Sequence, residues 1–87
     1  MNERSAEWTA RIFIEEQDEH LTRARVNLRT RDTEVVGVGT ARRNPHDFDV
    51  PEIGDELAVA RALSDVAHQL LDAAAADIEA MTARAGR

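Results

Sequence analysis

Three segments of the chain alternate between apolar and other residues with a period of two, and this pattern limits the fold more than any other feature. The segments are "WTARIFIE" at 8–15, residues 21–31, and "VVGVGTARR" at 35–43. Such alternation is typical of half-buried strands. Because only the short polar connections "EQDEH" and "DTE" separate the segments, we expect an antiparallel meander with residues 21–31 in the middle.

The middle segment contains "TRARVNLRTR" at 22–31, with arginine at odd positions and small or apolar residues between them. Alternation places the arginines on one face of the strand and Ala24, Val26 and Leu28 on the other. We call the sheet face that carries this ladder the arginine face. Its predicted site residues are Arg23, Arg25, Arg29, Arg31, Arg43 and Phe13, and Asn27 is expected on the same face.

The register of the third strand decides which of its residues share the arginine face. A two-residue turn would place Leu28 opposite Gly37 and mix buried with exposed positions. A three-residue connection, 32–34, instead places Arg29 opposite Gly37 and keeps the two sets apart. We therefore predict the second register. It puts Val36 and Val38 on the core side, and Gly37, Gly39, Ala41 and Arg43 on the arginine face.

Residues 55–83 have the one strong helical pattern of the chain. Apolar residues recur there at spacings of three and four, which predicts one buried stripe. A helix of this length measures about 43 Å, whereas a nine-residue strand spans about 30 Å. We therefore expect the helix to overhang the sheet, kink or pack on a second chain, and we expect a homodimer. The stripe consists of Leu57, Leu63, Val66, Ala67, Leu70, Ala74, Ile78 and Met81.

These elements predict an α+β fold, a three-stranded antiparallel meander followed by one long C-terminal helix. The chain of 87 residues is expected to form a single domain over 8–83, with tails at 1–7 and 84–87. The helix covers one sheet face and leaves the arginine face open. In the "PEIGDE" element before the helical pattern, we expect Gly54 to adopt a backbone conformation denied to other residues.

The residue inventory argues against catalysis. The chain has no cysteine, lysine or tyrosine, and its two serines are not in a nucleophile-elbow context. The "GVG" at 37–39 lacks the rest of a dinucleotide-binding motif, so strand packing or close approach of another backbone explains it better. We predict no enzymatic activity, no cofactor and no small-molecule substrate.

His46, Asp47, Asp49 and Glu52 could be drawn as a metal cluster. Their spacing matches neither a zinc site nor the calcium loop, and acidic residues before a helix are ordinary turn chemistry. We predict no metal. The N-terminal "MNERSAEW" has no apolar signal region, and no segment approaches a membrane span, so we expect a cytoplasmic protein with no membrane partner.

Charge is distributed unevenly along the chain. The formal net charge is -6, yet residues 20–43 contain six arginines against two carboxylates. The ladder is either a solvated strand face, paired with neighbouring glutamates at about 0 to 1 kcal/mol each, or a surface that contacts RNA phosphates, with Phe13 as a stacking residue. The residues themselves leave both readings open.

The third strand "VVGVGTARRNP", the segment "DVPEIGDELAVARALSDVAHQLL" and the ending "DIEAM" resemble a family of small actinobacterial proteins of unknown function associated with dormancy and hypoxia. The resemblance covers roughly residues 8–81. This family is similar in fold to the double-stranded-RNA-binding-domain-like core of ribosome hibernation promoting factors, and its members form homodimers. The resemblance implies a role in silencing ribosomes under stress.

Two functional hypotheses follow. The first is a non-enzymatic, dimeric stress or dormancy protein that binds the ribosome or structured RNA through the arginine face. The second is a homodimeric protein–protein interaction module without nucleic-acid binding, in which carboxylates of the dimer or a partner neutralise the arginines.

Overall fold

Three antiparallel strands and one long helix follow each other along the chain in a computed structural model that describes residues 3–44 and 50–86. The strands are β1 (Thr9–Asp18), β2 (Leu21–Arg29) and β3 (Glu34–Arg42), and the helix is α1 (Pro51–Ala85). The strand order β1-β2-β3 confirms the predicted meander and the α+β class. The candidate metal ligands His46, Asp47 and Asp49 lie outside the described residues.

The predicted register of β3 is wrong. Arg29 pairs with Glu34 and not with Gly37, which displaces β3 by three residues from its predicted position. Because side chains alternate between faces, this odd displacement exchanges the two faces of β3. A hydrogen bond joins the two ends of the connection between β2 and β3, since the Thr30 N–H donates to the Thr33 carbonyl at 2.9 Å.

The helix lies against β3 and β2 through small residues. Gly37, Gly39 and Ala41 of β3 are buried and face α1, so they do not belong to the arginine face as predicted. A Cβ atom at Gly39 would overlap backbone atoms of Ala58 and Ala62, which confirms that another backbone approaches the "GVG" segment closely. The buried core consists of Ala24, Val26, Ala41, Ala58, Ala62 and Val66.

The helix begins at Pro51, earlier than the pattern predicted. Proline suits the first turn because its fixed φ is helical and no N–H partner is needed there, and Glu52 favours the positive end of the helix dipole. Gly54 lies within α1 and has no positive φ, so the expected special conformation is wrong. Space is restricted there instead, because a Cβ atom would lie 3.0 Å from the Thr22 hydroxyl oxygen.

Much of the predicted core remains uncovered. All ten residues of β1 are exposed, because α1 lies over β2 and β3 and scarcely reaches β1. Of the predicted helical stripe, Val66 is buried and Leu70 is half-buried, whereas the other members are exposed. The 35 residues of α1 extend about 52 Å, so its C-terminal part projects beyond the sheet with Leu71, Ile78 and Met81 in solvent.

No helix in the described part of the chain has both the length and the apolar content that crossing a membrane requires.

Candidate functional site

The sheet face that α1 does not cover, which we call the open face, collects alternate residues from all three strands. Phe13, Arg25 and Val38 form one row across the sheet, because Arg25 is opposite both of the other two. The neighbouring row is Arg11, Asn27 and Val36. The other residues of the open face are Thr9, Glu15, Asp18, Leu21, Arg23, Arg29, Glu34, Thr40 and Arg42.

A cation–aromatic cluster occupies the middle of the open face. The guanidinium carbon of Arg25 lies 4.8 Å from the centre of the Phe13 ring, and that of Arg11 lies 5.3 Å from it. At an exposed site each such contact contributes about 0.5 to 1 kcal/mol. The three side chains therefore hold one another in place and present two guanidinium groups beside an aromatic ring.

Arg23 and Arg25 lie on the open face as predicted, and both are exposed. Arg29 also lies there, but its Nη1 is 3.5 Å from Glu34 Oε2 in an exposed ion pair. The other carboxylate oxygen of Glu34 accepts a hydrogen bond from Asn27 Nδ2 at 3.0 Å. Arg29 is thus partly neutralised within the chain, while Arg23 and Arg25 supply the ladder's charge at the centre of the face.

Arg31 and Arg43 are not on the open face. Arg31 is exposed in the connection between β2 and β3. Arg43 is half-buried at the opposite end of β3, where its Nε donates to the Glu19 carbonyl at 3.3 Å and its Nη2 donates to His20 Nδ1 at 3.1 Å. The predicted placement of Arg43 opposite Arg23 is wrong because Thr40 is opposite Arg23 in the actual register.

Val36 and Val38 replace the predicted glycines on the open face. Val36 is 41% exposed, Val38 is 37% exposed and Phe13 is 40% exposed, so an apolar strip crosses the face among the arginines. The sequence prediction assigned both valines to the core. The signal that could have placed them correctly is the "GVG" spacing itself, since a closely approaching helix requires the glycines, and not the valines, on its side.

The outer edge of β3 is covered by three side chains of α1, which we call the edge cap. Arg61 Nη1 donates to the Thr40 carbonyl at 2.7 Å, Asp65 Oδ2 accepts from the Val38 N–H at 2.9 Å, and Gln69 Nε2 donates to the Val36 carbonyl at 2.7 Å. These residues are spaced by four, so they lie on one side of α1. The edge cap satisfies backbone groups that β2 cannot reach.

Known proteins resemble the chain over most of its length. The uncharacterized protein Mb1767 of Mycobacterium bovis is 56% identical over 80 residues, which is 92% of this chain and 84% of that protein. The uncharacterized protein Rv2632c of Mycobacterium tuberculosis is 54% identical over 71 residues, which is 82% of this chain and 75% of that protein.

A solved structure agrees with the fold. The crystal structure of Rv2632c matches with a TM-score of 0.85 at 46% identity, covering 94% of this chain and 96% of that one. The family model described as Rv2632c-like matches residues 6–87. The chain therefore belongs to the Rv2632c-like family, which includes these mycobacterial proteins.

Proposed function

We propose that this chain is a non-enzymatic protein of stressed or dormant cells that binds the ribosome or other structured RNA through the open face. The observation that carries the proposal is the cluster of Phe13 with Arg11 and Arg25 at the middle of that face. Guanidinium groups pair with phosphates and stack on bases, and exposed aromatic rings on a sheet stack on unpaired bases. The link to dormancy and hibernation comes from the family resemblance described above.

The charge of the open face supports a polyanionic ligand. The register places five arginines, two glutamates and Asp18 on this face, a formal charge of +2, while the whole chain carries -6. An acidic chain approaches RNA favourably only in the orientation that presents this face. Arg11, Arg23, Arg25 and Arg42 together could contact roughly four phosphates, which gives a slope of about -3 to -4 for log K against log salt concentration.

The test is sedimentation of the protein with ribosomes, separate subunits and protein-free ribosomal RNA at low and moderate salt. We expect the protein to co-sediment at low salt and the Arg23→Glu, Arg25→Glu variant to lose binding. The matched control is Arg4→Glu, Arg84→Glu, which makes the same charge change away from the open face and should bind as the wild type does. If the wild-type protein did not co-sediment with ribosomes, subunits or ribosomal RNA at low salt, the proposal would be refuted.

A second candidate function is a protein–protein interaction module that uses the same face. Val36 and Val38 favour it, because an apolar strip with an aromatic ring and arginines is typical of protein interfaces. The Val36→Ser, Val38→Ser variant separates the candidates. Loss of ribosome binding in that variant, with little salt dependence and no binding to protein-free RNA, would identify a protein partner instead of RNA.

A further inference from the structure

The aromatic ring of Phe13 lies at the centre of the open face and takes no part in the buried core. The residue is 40% exposed, even though the guanidinium carbons of Arg11 and Arg25 lie 5.3 Å and 4.8 Å from the ring centre. A large apolar ring that the fold leaves in solvent among cations is available to a planar ligand. Its surroundings indicate which part of an RNA would use it.

Apolar side chains continue from the ring across the sheet. Val38 lies in the same row as Phe13, and Val36 lies in the next row. Neighbouring strands are about 4.8 Å apart, so the strip from β1 to β3 is roughly 10 Å wide. Phosphates gain nothing from this strip, since contact with it removes water from a charged group. Nucleobases do gain, and sheets that bind single-stranded RNA stack about two or three bases on exposed aromatic residues.

The positive charge of the open face is concentrated beside this strip. Arg11, Arg23 and Arg25 form no ion pair within the described residues, whereas Arg29 is paired with Glu34 at one end of the face. The three rows that hold the unpaired arginines extend about 14 Å along the strands. Duplex-binding domains, in contrast, contact roughly 16 base pairs. The positive part of the face therefore fits a short length of one RNA strand.

We propose that the open face binds unpaired nucleotides of RNA, with one base stacked on the Phe13 ring. This inference rests on the RNA function proposed above and specifies which part of the RNA is bound. In the complex, the guanidinium groups of Arg11 and Arg25 pair with the phosphates beside the stacked base, and Val38 packs on a neighbouring base. Bases inside a duplex cannot reach the ring unless they are first unpaired and unstacked.

The first test compares two short RNAs of equal length by fluorescence anisotropy at low salt. One is a single strand of uridines, which forms no base pairs, and the other is a blunt duplex of mixed sequence. We expect the single strand to bind at least roughly tenfold more tightly than the duplex. Equal affinities, or tighter binding of the duplex, would overturn the inference and leave the RNA proposal standing. Failure to bind either RNA would also overturn it, and sedimentation with ribosomes then decides separately whether the RNA proposal survives.

Phe13→Leu removes the aromatic ring and keeps an apolar side chain. It should weaken binding of the single strand roughly tenfold and leave binding of the duplex unchanged, because duplex phosphates do not use the ring. Phe13→Tyr retains a stacking ring and should bind as the wild type does. An equal loss for the single strand and the duplex would show that the ring only holds Arg11 and Arg25 in place, and would overturn the proposal.

Trp8→Leu is the matched control, since Trp8 is also exposed but precedes β1 and is not a residue of the open face. It should bind both RNAs as the wild type does. Equal losses in Trp8→Leu and Phe13→Leu would contradict the assignment of stacking to Phe13. Circular dichroism checks that both variants are folded, which we expect because neither side chain is buried.

A fluorescent ring at the proposed site reports stacking directly. Trp8 is the only tryptophan of the chain, so Trp8→Phe combined with Phe13→Trp moves the indole to the open face. Saturating single-stranded RNA should quench the emission of this variant, because a stacked base contacts the indole, whereas the duplex should not. Unchanged emission with the single strand bound, or equal quenching by the duplex, would overturn the proposal.

Discussion

Gly39 shows how closely α1 approaches the sheet. A methyl group there would overlap the Ala58 carbonyl and the Ala62 amide nitrogen, both of which are helix backbone atoms that cannot rotate away. The contact between α1 and β3 is therefore made by glycine and alanine, and Val26 is the largest fully buried side chain of the described residues. Close backbone approach takes the place of large interlocking side chains in this core.

Gly39→Ala should destabilise the fold despite alanine's lower conformational entropy in the unfolded chain. Displacing the helix to admit one methyl group costs about 1 to 3 kcal/mol of unfolding free energy. Chemical denaturation measures this loss. Val38→Ala, at the adjacent exposed position, is the matched control and should change stability by much less. Equal stability of Gly39→Ala and the wild type would show that α1 can shift at no cost.

At the scale of elements, the strands and the helix could be predicted because alternation and helical spacing are local properties of the sequence. The pairing of β3 could not be predicted in the same way. Its two faces carry Val36 and Val38 on one side and Gly37 and Gly39 on the other, and hydrophobicity alone assigns the valines to the core. The requirement of α1 for small residues reverses that assignment, and this requirement becomes visible only when helix and sheet are considered together.

The candidate site could likewise be predicted where it depends on local patterns, and could not be predicted where it depends on the register of β3. Arg23, Arg25 and Phe13 depend on the pairing of β1 with β2 and on strand alternation, and they lie where the sequence placed them. The predicted position of Arg43 depends on the register of β3, and Arg43 does not lie on the open face. The edge cap gave no recognisable signal, because Arg61, Asp65 and Gln69 resemble any polar side of a helix.

Asp65→Ala should expose the Val38 amide, since the carboxylate is the hydrogen-bond acceptor for that N–H. Hydrogen exchange at Val38 should become roughly tenfold faster, and the unfolding free energy should fall by about 0.5 to 1.5 kcal/mol. The control is Asp72→Ala, which removes a carboxylate from the projecting part of α1 and should leave Val38 exchange unchanged. Unchanged exchange in Asp65→Ala would show that the hydrogen bond does not protect this edge.

At the scale of the whole molecule, the chain is elongated, with a longest dimension of 60 Å that reflects α1. The described residues 71–86 are all exposed, so this part of the helix adds little to the core. The sheet and the part of α1 that ends at Leu70 therefore contain what the fold requires.

A chain that ends at Asp72 should still fold cooperatively, with an unfolding free energy within about 1 kcal/mol of the full chain, because no buried contact is removed. Thermal and chemical unfolding followed by circular dichroism measure this. A chain that ends at Ser64 should not fold, because it lacks the edge-cap residues Asp65 and Gln69 as well as the buried Val66. Loss of a cooperative transition in the longer truncation would show that the projecting helix stabilises the domain.

The edge cap also limits how many chains can join one sheet. An exposed strand edge can act as a template to which further chains add, which is how sheets grow into fibres. At the outer edge of β3 this addition is opposed, because Arg61, Asp65 and Gln69 already bind the Thr40 carbonyl, the Val38 N–H and the Val36 carbonyl. The helix that completes the fold therefore also makes this edge a poor starting point for a fibre.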